Sequence, residues 1–282
     1  MKRLSLTLLL ACALPLAARS QALPSLLVPT DARSFAMGGV RTAQAPVSLD
    51  FDAFYCLWAP ASSRSNVFGA DISAMVMPGL SLTADIRRFS DRPYETASDT
   101  GSAGEMFSPY DFSFSVGAEY CFRNSLLAGI SVRNTNSTIA KDITGSAVCG
   151  DIYAGWVAPG WSVMLAVRNV GTPVNYGYGE YSLPSLVGLS GEWKPLQGLS
   201  LAAEADYLFA GTFMAGAGIE YCFRDVASAR AGYHYGGPGE VLPSFVSLGL
   251  GGKYAGVRLD ASVLLLSPSL GGSFMVSVGY SF

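Results

Sequence analysis

The stretch FMVSVGYSF, residues 274–282, decides the fold class, because a large apolar residue occupies every even position and mostly small residues lie between them. Successive side chains of a β-strand point to opposite faces, so this stretch has one apolar face and one small or polar face. The stretches FSFSVGAEY, residues 112–120, and LSLAAEADY, residues 199–207, alternate in the same way. Segments of about ten residues with this alternation, separated by turn residues, are typical of transmembrane barrel strands.

Composition narrows the choice of protein class. The 282 residues are 50% hydrophobic and 14% charged, whereas soluble domains average roughly 25% charged residues. Disordered chains are polar and highly charged, so disorder is excluded. The net charge of −3 lacks the basic footprint of a nucleic-acid-binding protein. Beyond the N-terminal region no apolar run reaches the ~18 residues of a transmembrane helix. An all-β soluble domain and an outer-membrane β-barrel remain.

The N-terminal region has the three parts of a secretory signal peptide. A basic pair at 2–3 precedes an apolar run over 4–16, and Ser-Gln-Ala at 20–22 forms a small-x-small cleavage site. We therefore assign residues 1–22 to a signal peptide. The sequence LLAC at 9–12 resembles a lipoprotein cleavage site, but the apolar region before its cysteine is short for that purpose. Export combined with barrel strands predicts a location in the cell outer membrane.

The order of turns and loops predicts the strand count. Alternation indicates about thirteen strands after residue 65, and short turns interleave with longer polar loops, among them 135–146. If the chain ends in the periplasm, one more crossing must precede these strands, either as a strand within 39–58 or as a segment threaded through the lumen. Even counts are the rule in bacterial barrels, so we predict an antiparallel barrel of fourteen strands. The predicted domains are an N-terminal plug segment, 23–64, which can include the first strand, and the transmembrane β-barrel, 65–282.

The two faces of the strands differ in chemistry. In a soluble β-sandwich the charged face would be exposed to water and the apolar face would form the core. Aromatic residues near the strand ends of the apolar face favour the barrel, because aromatic girdles lie at membrane interfaces. The apolar face then contacts the lipid bilayer and the charges line the lumen. The charges predicted to face the lumen are Asp71, Asp85, Glu119, Glu204, Asp206, Arg230 and Asp260.

Phe282 is in phase with the apolar face of the last strand. Outer-membrane barrels are generally inserted by a machinery that reads a final strand ending in an aromatic residue. We therefore expect Phe282 to be an assembly signal that the outer-membrane assembly machinery binds.

The segment 26–39 does not alternate like the strands and is rich in apolar residues. Leaving these residues in water would be costly, so the segment is predicted to fold back into the lumen. Gly38 and Gly39 permit the backbone bend that this path needs. Arg33 is expected to pair with a carboxylate of the lumen.

The sequence offers little for catalysis. His234 is the single histidine of the chain and no nucleophile motif accompanies it. The glycines at 216–218 and 249–252 do not open a helix, so they do not form a dinucleotide loop, and glycines on the lumen face of strands more often make room for a plug. We predict a protein without cofactor or metal that is not an enzyme.

Several short motifs resemble a known family. Asp31, Ala32 and Arg33 are followed by Met37, Gly38 and Gly39, and then by Trp58, Ala59, Pro60 and Ala61. Together these residues resemble the N-terminal signature of the PorV/PorQ family, whose members are outer-membrane proteins with a FadL-like barrel. The family shows D-A-R, then M-G, then W-N-P-A, and Ala59 departs from that pattern. The D-A-R form favours the PorV branch.

The resemblance implies a role in type IX protein secretion. A PorV-type barrel would be a non-enzymatic carrier whose partners are the C-terminal domains of secreted cargo and the secretion machinery. This chain is shorter than such proteins, chiefly in its loops. The alternative is a FadL-like channel for hydrophobic small molecules. An apolar lumen would favour that alternative, whereas the lumen face predicted from the sequence is charged and small. An outer-membrane hydrolase is disfavoured, because a nucleophile motif is missing.

Overall fold

A computed structural model of the protein describes residues 22–97, 103–123, 125–238 and 241–282. The predicted signal peptide lies outside the described residues except for its last position. Fourteen strands form a closed antiparallel barrel in which each strand pairs with its neighbours and the first strand pairs with the last. The prediction of an all-β, fourteen-stranded antiparallel barrel is therefore confirmed.

The barrel strands follow one another around the wall in chain order. They are β1 (Leu49–Trp58), β2 (Ser65–Met77), β3 (Leu80–Ser90), β6 (Tyr110–Phe122), β7 (Leu126–Ala140), β8 (Ile143–Ala158), β9 (Trp161–Gly171), β12 (Leu186–Leu196), β13 (Leu199–Leu208), β14 (Phe213–Phe223), β15 (Ala227–Tyr235), β16 (Phe245–Tyr254), β17 (Val257–Leu265) and β18 (Phe274–Ser281). Two small hairpins lie in the connections, β4 (Tyr94–Ala97) with β5 (Ala103–Phe107), and β10 (Val174–Asn175) with β11 (Glu180–Tyr181).

The connections at one end of the barrel are all two or three residues long, whereas most of those at the other end are longer. The connections after β2, β8, β12 and β16 are two-residue turns, and both hairpins lie in connections at the opposite end. Short turns face the periplasm in bacterial barrels, so we call the turn end periplasmic and the other end extracellular. The predicted loop 135–146 is wrong, because β7 and β8 continue through it and meet at a two-residue turn, 141–142.

The outward face of the barrel is apolar. Phe112, Val116 and Ile219 are 42%, 49% and 45% exposed, and Val276 and Val278 are each 43% exposed. Side chains of this kind surround the wall, and in water they would form an apolar patch far larger than soluble monomers tolerate. A lipid environment removes that cost.

Helices contribute little to the fold. A 3-10 turn covers Pro24–Leu27 and a short α-helix, α1, covers Ala32–Ala36. No helix in the part of the chain that the structure describes is long and apolar enough to cross a membrane.

Candidate functional site

Residues 22–48, which we call the lumen segment, run through the inside of the barrel. At the extracellular end the Ala22 amide donates to the Ser182 carbonyl oxygen at 2.9 Å. Helix α1 packs against the inner faces of β15–β18. The segment then continues to the periplasmic end, where β1 begins at Leu49. The first barrel strand thus lies within the region 23–64.

The Asp-Ala-Arg motif begins helix α1. The Asp31 carboxylate accepts a hydrogen bond from the Ser34 amide at 2.7 Å, which satisfies one of the free N–H groups of the first turn. The Ala32 amide donates to the Ser277 hydroxyl on β18 at 3.3 Å. The motif therefore both starts the helix and attaches it to the wall.

Arg33 anchors the lumen segment to two carboxylates of the wall. Its Nη2 lies 2.6 Å from Glu192 Oε1, and its Nε lies 3.1 Å from Glu220 Oε2. Two carboxylates therefore face this one guanidinium inside the lumen. Arg230 also donates to Glu220 and contacts Asp260. The expected pairing of Arg33 with a lumen carboxylate is present.

Arg41 makes a second anchor of the same kind. Its Nη2 lies 3.3 Å from Glu204 Oε1 and 3.2 Å from Asp206 Oδ2. Arg168 on β9 also contacts Glu204, at 2.7 Å. Since one carboxylate serves two cations here, removing Glu204 would leave both arginines short of a partner.

Glycines on the inner wall of the barrel form the surface that contacts the backbone of the lumen segment, and we call this surface the glycine seat. A Cβ atom added at Gly232 would lie 2.2 Å from the Gly38 nitrogen, and one added at Gly218 would lie 2.7 Å from Met37 Cα. Gly216 approaches the Gly38 carbonyl oxygen in the same way. These glycines therefore let two backbones meet without side chains between them. Gly38, at φ +76°, adopts a backbone conformation that favours glycine.

An apolar core fills one side of the extracellular half of the lumen. Leu27, Val28 and Phe35 of the lumen segment pack in one core with inward-facing wall residues. The charged and small lumen face expected from the sequence does not extend over this core. The apolar wall residues are Phe54, Cys56, Val67, Leu186, Leu208, Met214, Phe245, Leu264 and Met275.

The two parts of the family-like signature meet in this core. The Phe35 and Trp58 rings are 6.1 Å apart at their centroids and cross edge to face at 69°. Pro60 and Ala61 follow Trp58 in the extracellular connection after β1. Met37 is buried, and it lies beside Val40 and Ala202.

An extracellular pocket of about 360 Å³ opens above the lumen segment. Leu23 and Ser25 contribute to its lining, and the Ser25 hydroxyl donates to Asp111 Oδ2 at 2.7 Å. The pocket is rich in rings and also carries carboxylates. Its aromatic residues are Trp58, Phe89, Tyr110 and Tyr176, and its acidic residues are Asp91 and Asp111.

A charged cavity of about 630 Å³ occupies the periplasmic half of the lumen. Arg258 Nη1 lies 2.9 Å from Asp50 Oδ1, and Arg133 Nη2 lies 3.5 Å from Asp85 Oδ2. Asp71 lines the same cavity and has no ion pair among the described residues. Arg230 and Asp260, paired with one another, complete the set of predicted charges in this cavity.

Glu119 lies apart from these charge clusters. Its carboxylate accepts a hydrogen bond from the Tyr153 hydroxyl at 2.8 Å, and the Tyr153 ring covers Gly129 between them. The residues of the site that the sequence did not single out include Glu192, Arg41 and the apolar residue Leu186. Glu192 precedes the outward-facing Trp193, so the alternation of its strand does carry a signal for its inward direction.

Solved structures similar to this chain are transport proteins. The toluene transporter TbuX of Ralstonia pickettii is 12% identical, with a TM-score of 0.61 over 91% of this chain and 99% of that chain. The toluene transporter TodX of Pseudomonas putida is 12% identical, with a TM-score of 0.59 over 93% of this chain and 98% of that chain. The monoaromatic hydrocarbon channel CymD is 10% identical, with a TM-score of 0.64 over 91% and 98%.

At these identities the likeness is one of fold, and it confirms the predicted FadL-like outer-membrane barrel. No protein-family model and no curated protein matches the chain. Membership of the PorV/PorQ family stays a prediction.

Proposed function

We propose that this protein is an outer-membrane channel for hydrophobic small molecules and that the lumen segment is its gate. The observation that carries the proposal is the apolar core in the extracellular half of the lumen. Leu27, Val28 and Phe35 cover wall residues that would otherwise form an apolar passage. Displacing Leu27 and Val28, which precede α1, would connect the ring-lined extracellular pocket to the interior of the barrel.

The chemistry of the passage suits a small apolar solute. An apolar molecule entering the displaced core would replace the contacts that the lumen segment makes, so the wall would not be left exposed to water. The pocket volume of about 360 Å³ is in the range of small-ligand sites. The fold likeness to toluene transporters and a hydrocarbon channel is consistent with this substrate class.

Deletion of residues 23–40 tests the gate. We expect a higher single-channel conductance in planar bilayers and faster toluene uptake into proteoliposomes, because the deletion removes α1 and the apolar residues that fill the lumen. A matched control removes residues 177–179 at the exposed tip of the β10–β11 hairpin. Unchanged conductance in a deletion variant that still forms a heat-modifiable barrel would contradict the proposal.

A carrier in type IX secretion is the second candidate. The contact of Phe35 with Trp58 favours it, because residues within the PorV-like signature hold the lumen closed, and a carrier needs no open pore. Mass spectrometry of proteins that co-purify from detergent-solubilised outer membrane separates the two candidates. Secretion subunits or cargo C-terminal domains, together with wild-type toluene uptake in the deletion variant, would favour the carrier.

A further inference from the structure

The extracellular pocket and the periplasmic cavity both reach strands β3 and β7. On β3, Phe89 lines the pocket and Asp85 lines the cavity. On β7, Ser137 lines the pocket and Arg133 lines the cavity. Helix α1 packs on the other side, against β15–β18. A connection along β3, β6 and β7 would therefore run on the side of the lumen away from α1.

Arg87 stands in the middle of that connection. It lies between Asp85 and Phe89 on the inward face of β3. Its cross-strand neighbours are Gly69 on β2 and Ser113 on β6, and Ser113 is in turn paired with Thr135 on β7. Side chains at this level are absent or short except for that of Arg87. Arg87 is therefore the one long side chain among these four paired positions of the wall.

The partners of Arg87 belong to the lumen segment. Its Nη1 donates to the Ser25 carbonyl oxygen at 3.0 Å and to the Val28 carbonyl oxygen at 3.1 Å. Arg87 is 6% exposed, and among the described residues its hydrogen bonds go to no carboxylate. This distinguishes it from Arg33 and Arg41, which are held by ion pairs. A buried cation held by neutral carbonyl groups is bound less firmly than one paired with carboxylates.

We propose that the passage follows the β3–β6–β7 wall and that Arg87 closes it and sets its charge preference. This inference rests on the proposed channel function. Permeation then requires Arg87 to leave the Ser25 and Val28 carbonyl groups, which frees residues 25–28, and with them Leu27 and Val28, to move. The Arg33 and Arg41 anchors keep α1 and the residues after it in place. A positive group at the narrowest point attracts anionic head groups and repels cations.

The test uses the full-length protein with Arg87→Ala in planar bilayers under a salt gradient. We expect a several-fold rise in conductance that stays below that of the 23–40 deletion, with the lumen segment still resistant to protease. The reversal potential should shift toward cation selectivity, which a purely structural role would not produce. Arg87→Lys should retain the wild-type selectivity, because it keeps the charge. Arg258→Ala is the control, since it removes a lumen cation that contacts wall carboxylates and not the lumen segment.

The outcomes separate the gate from the channel. If the deletion raises conductance and Arg87→Ala does not, the channel stands and the gate is overturned. If Arg87→Ala matches the deletion and the lumen segment becomes cleavable, Arg87 is an anchor, and the gate is overturned again. If neither variant conducts more than wild type, the channel proposal itself fails. Should Arg87→Ala not assemble, Arg87→Gln supplies the same comparison with a side chain of similar length.

Discussion

At the residue scale, Gly232 shows how a missing side chain admits a second backbone. A Cβ atom there would meet the Gly38 nitrogen at 2.2 Å, and neither backbone can give way cheaply. We expect Gly232→Val to displace the lumen segment, because overpacking a filled site costs about 1–3 kcal/mol. Limited proteolysis should cut the lumen segment faster, and single-channel conductance should rise toward that of the 23–40 deletion.

The neighbouring residue provides the control for Gly232. Ala231 lies on the outward face of the same strand, so Ala231→Val places the same valine side chain on the lipid side. It should leave proteolysis and conductance as in wild type. Equal behaviour of the two variants would mean that the strand, and not the seat, responds to the added bulk.

The sequence predicts which lumen residues point inward but not which residues they pair with. Alternation gave the inward direction of Glu204, Asp206 and Arg230 from the sequence alone, because phase within a strand is a local property. The pairing of Arg41 with Glu204 was not predictable, since the two residues are 163 positions apart. Where the lumen segment crosses the barrel depends on glycine seats contributed by several strands.

At the element scale, apolar alternation predicts the barrel strands where their outward face contacts lipid. It does not predict the parts of the strands that extend beyond the lipid. The outward positions of β7 toward its extracellular end carry Asn134, Asn136 and Thr138, so the apolar alternation stops there. Backbone pairing with β8 nevertheless continues to Ala140. Periodicity of apolar residues reports burial in lipid, whereas a strand requires only hydrogen-bonded partners, and this explains the wrong loop at 135–146.

Adjacent residues of β7 test the assignment of the two faces. Val132 points to lipid and is 51% exposed, whereas Ser131 points inward and donates a hydrogen bond to Asp151. Val132→Arg should reduce the free energy of unfolding in bilayers by about 2–4 kcal/mol, as a charge near the membrane midplane requires. Ser131→Arg should cost far less. Urea titrations of the two variants in vesicles measure the difference, and equal losses would contradict the outward direction of Val132.

At the scale of the whole molecule, the lumen has an apolar core in its extracellular half and a charged cavity in its periplasmic half. The charged cavity was predictable, because charges stand out in strands that are otherwise apolar and small. The apolar core was not, because strand positions with apolar residues on both faces carry no alternating signal. This difference matters for function, because Leu27, Val28 and Phe35 of the lumen segment fill the apolar core, whereas the periplasmic half contains a cavity.

Closure of the barrel leads to the last prediction. The Leu49 amide donates to the Phe282 carbonyl oxygen and the Phe282 amide donates to the Leu49 carbonyl oxygen, each at 2.9 Å. The Phe282 side chain is 79% exposed, so it adds little packing. Phe282→Ser keeps both backbone hydrogen bonds and removes only the ring. We expect less heat-modifiable barrel in the outer membrane and more periplasmic precursor, because the assembly machinery would lose its aromatic signal.

Tyr280→Ser is the matched control, because Tyr280 lies on the same outward face of β18 and is 41% exposed. If both residues act only as girdle residues, each contributes through its contact with the membrane interface. The two substitutions should then cause similar, small losses of assembled barrel. A recognition signal depends on position, so Phe282→Ser alone should reduce assembly strongly. Equal and small losses in the two variants, measured by heat modifiability on gels, would show that Phe282 is one more girdle residue.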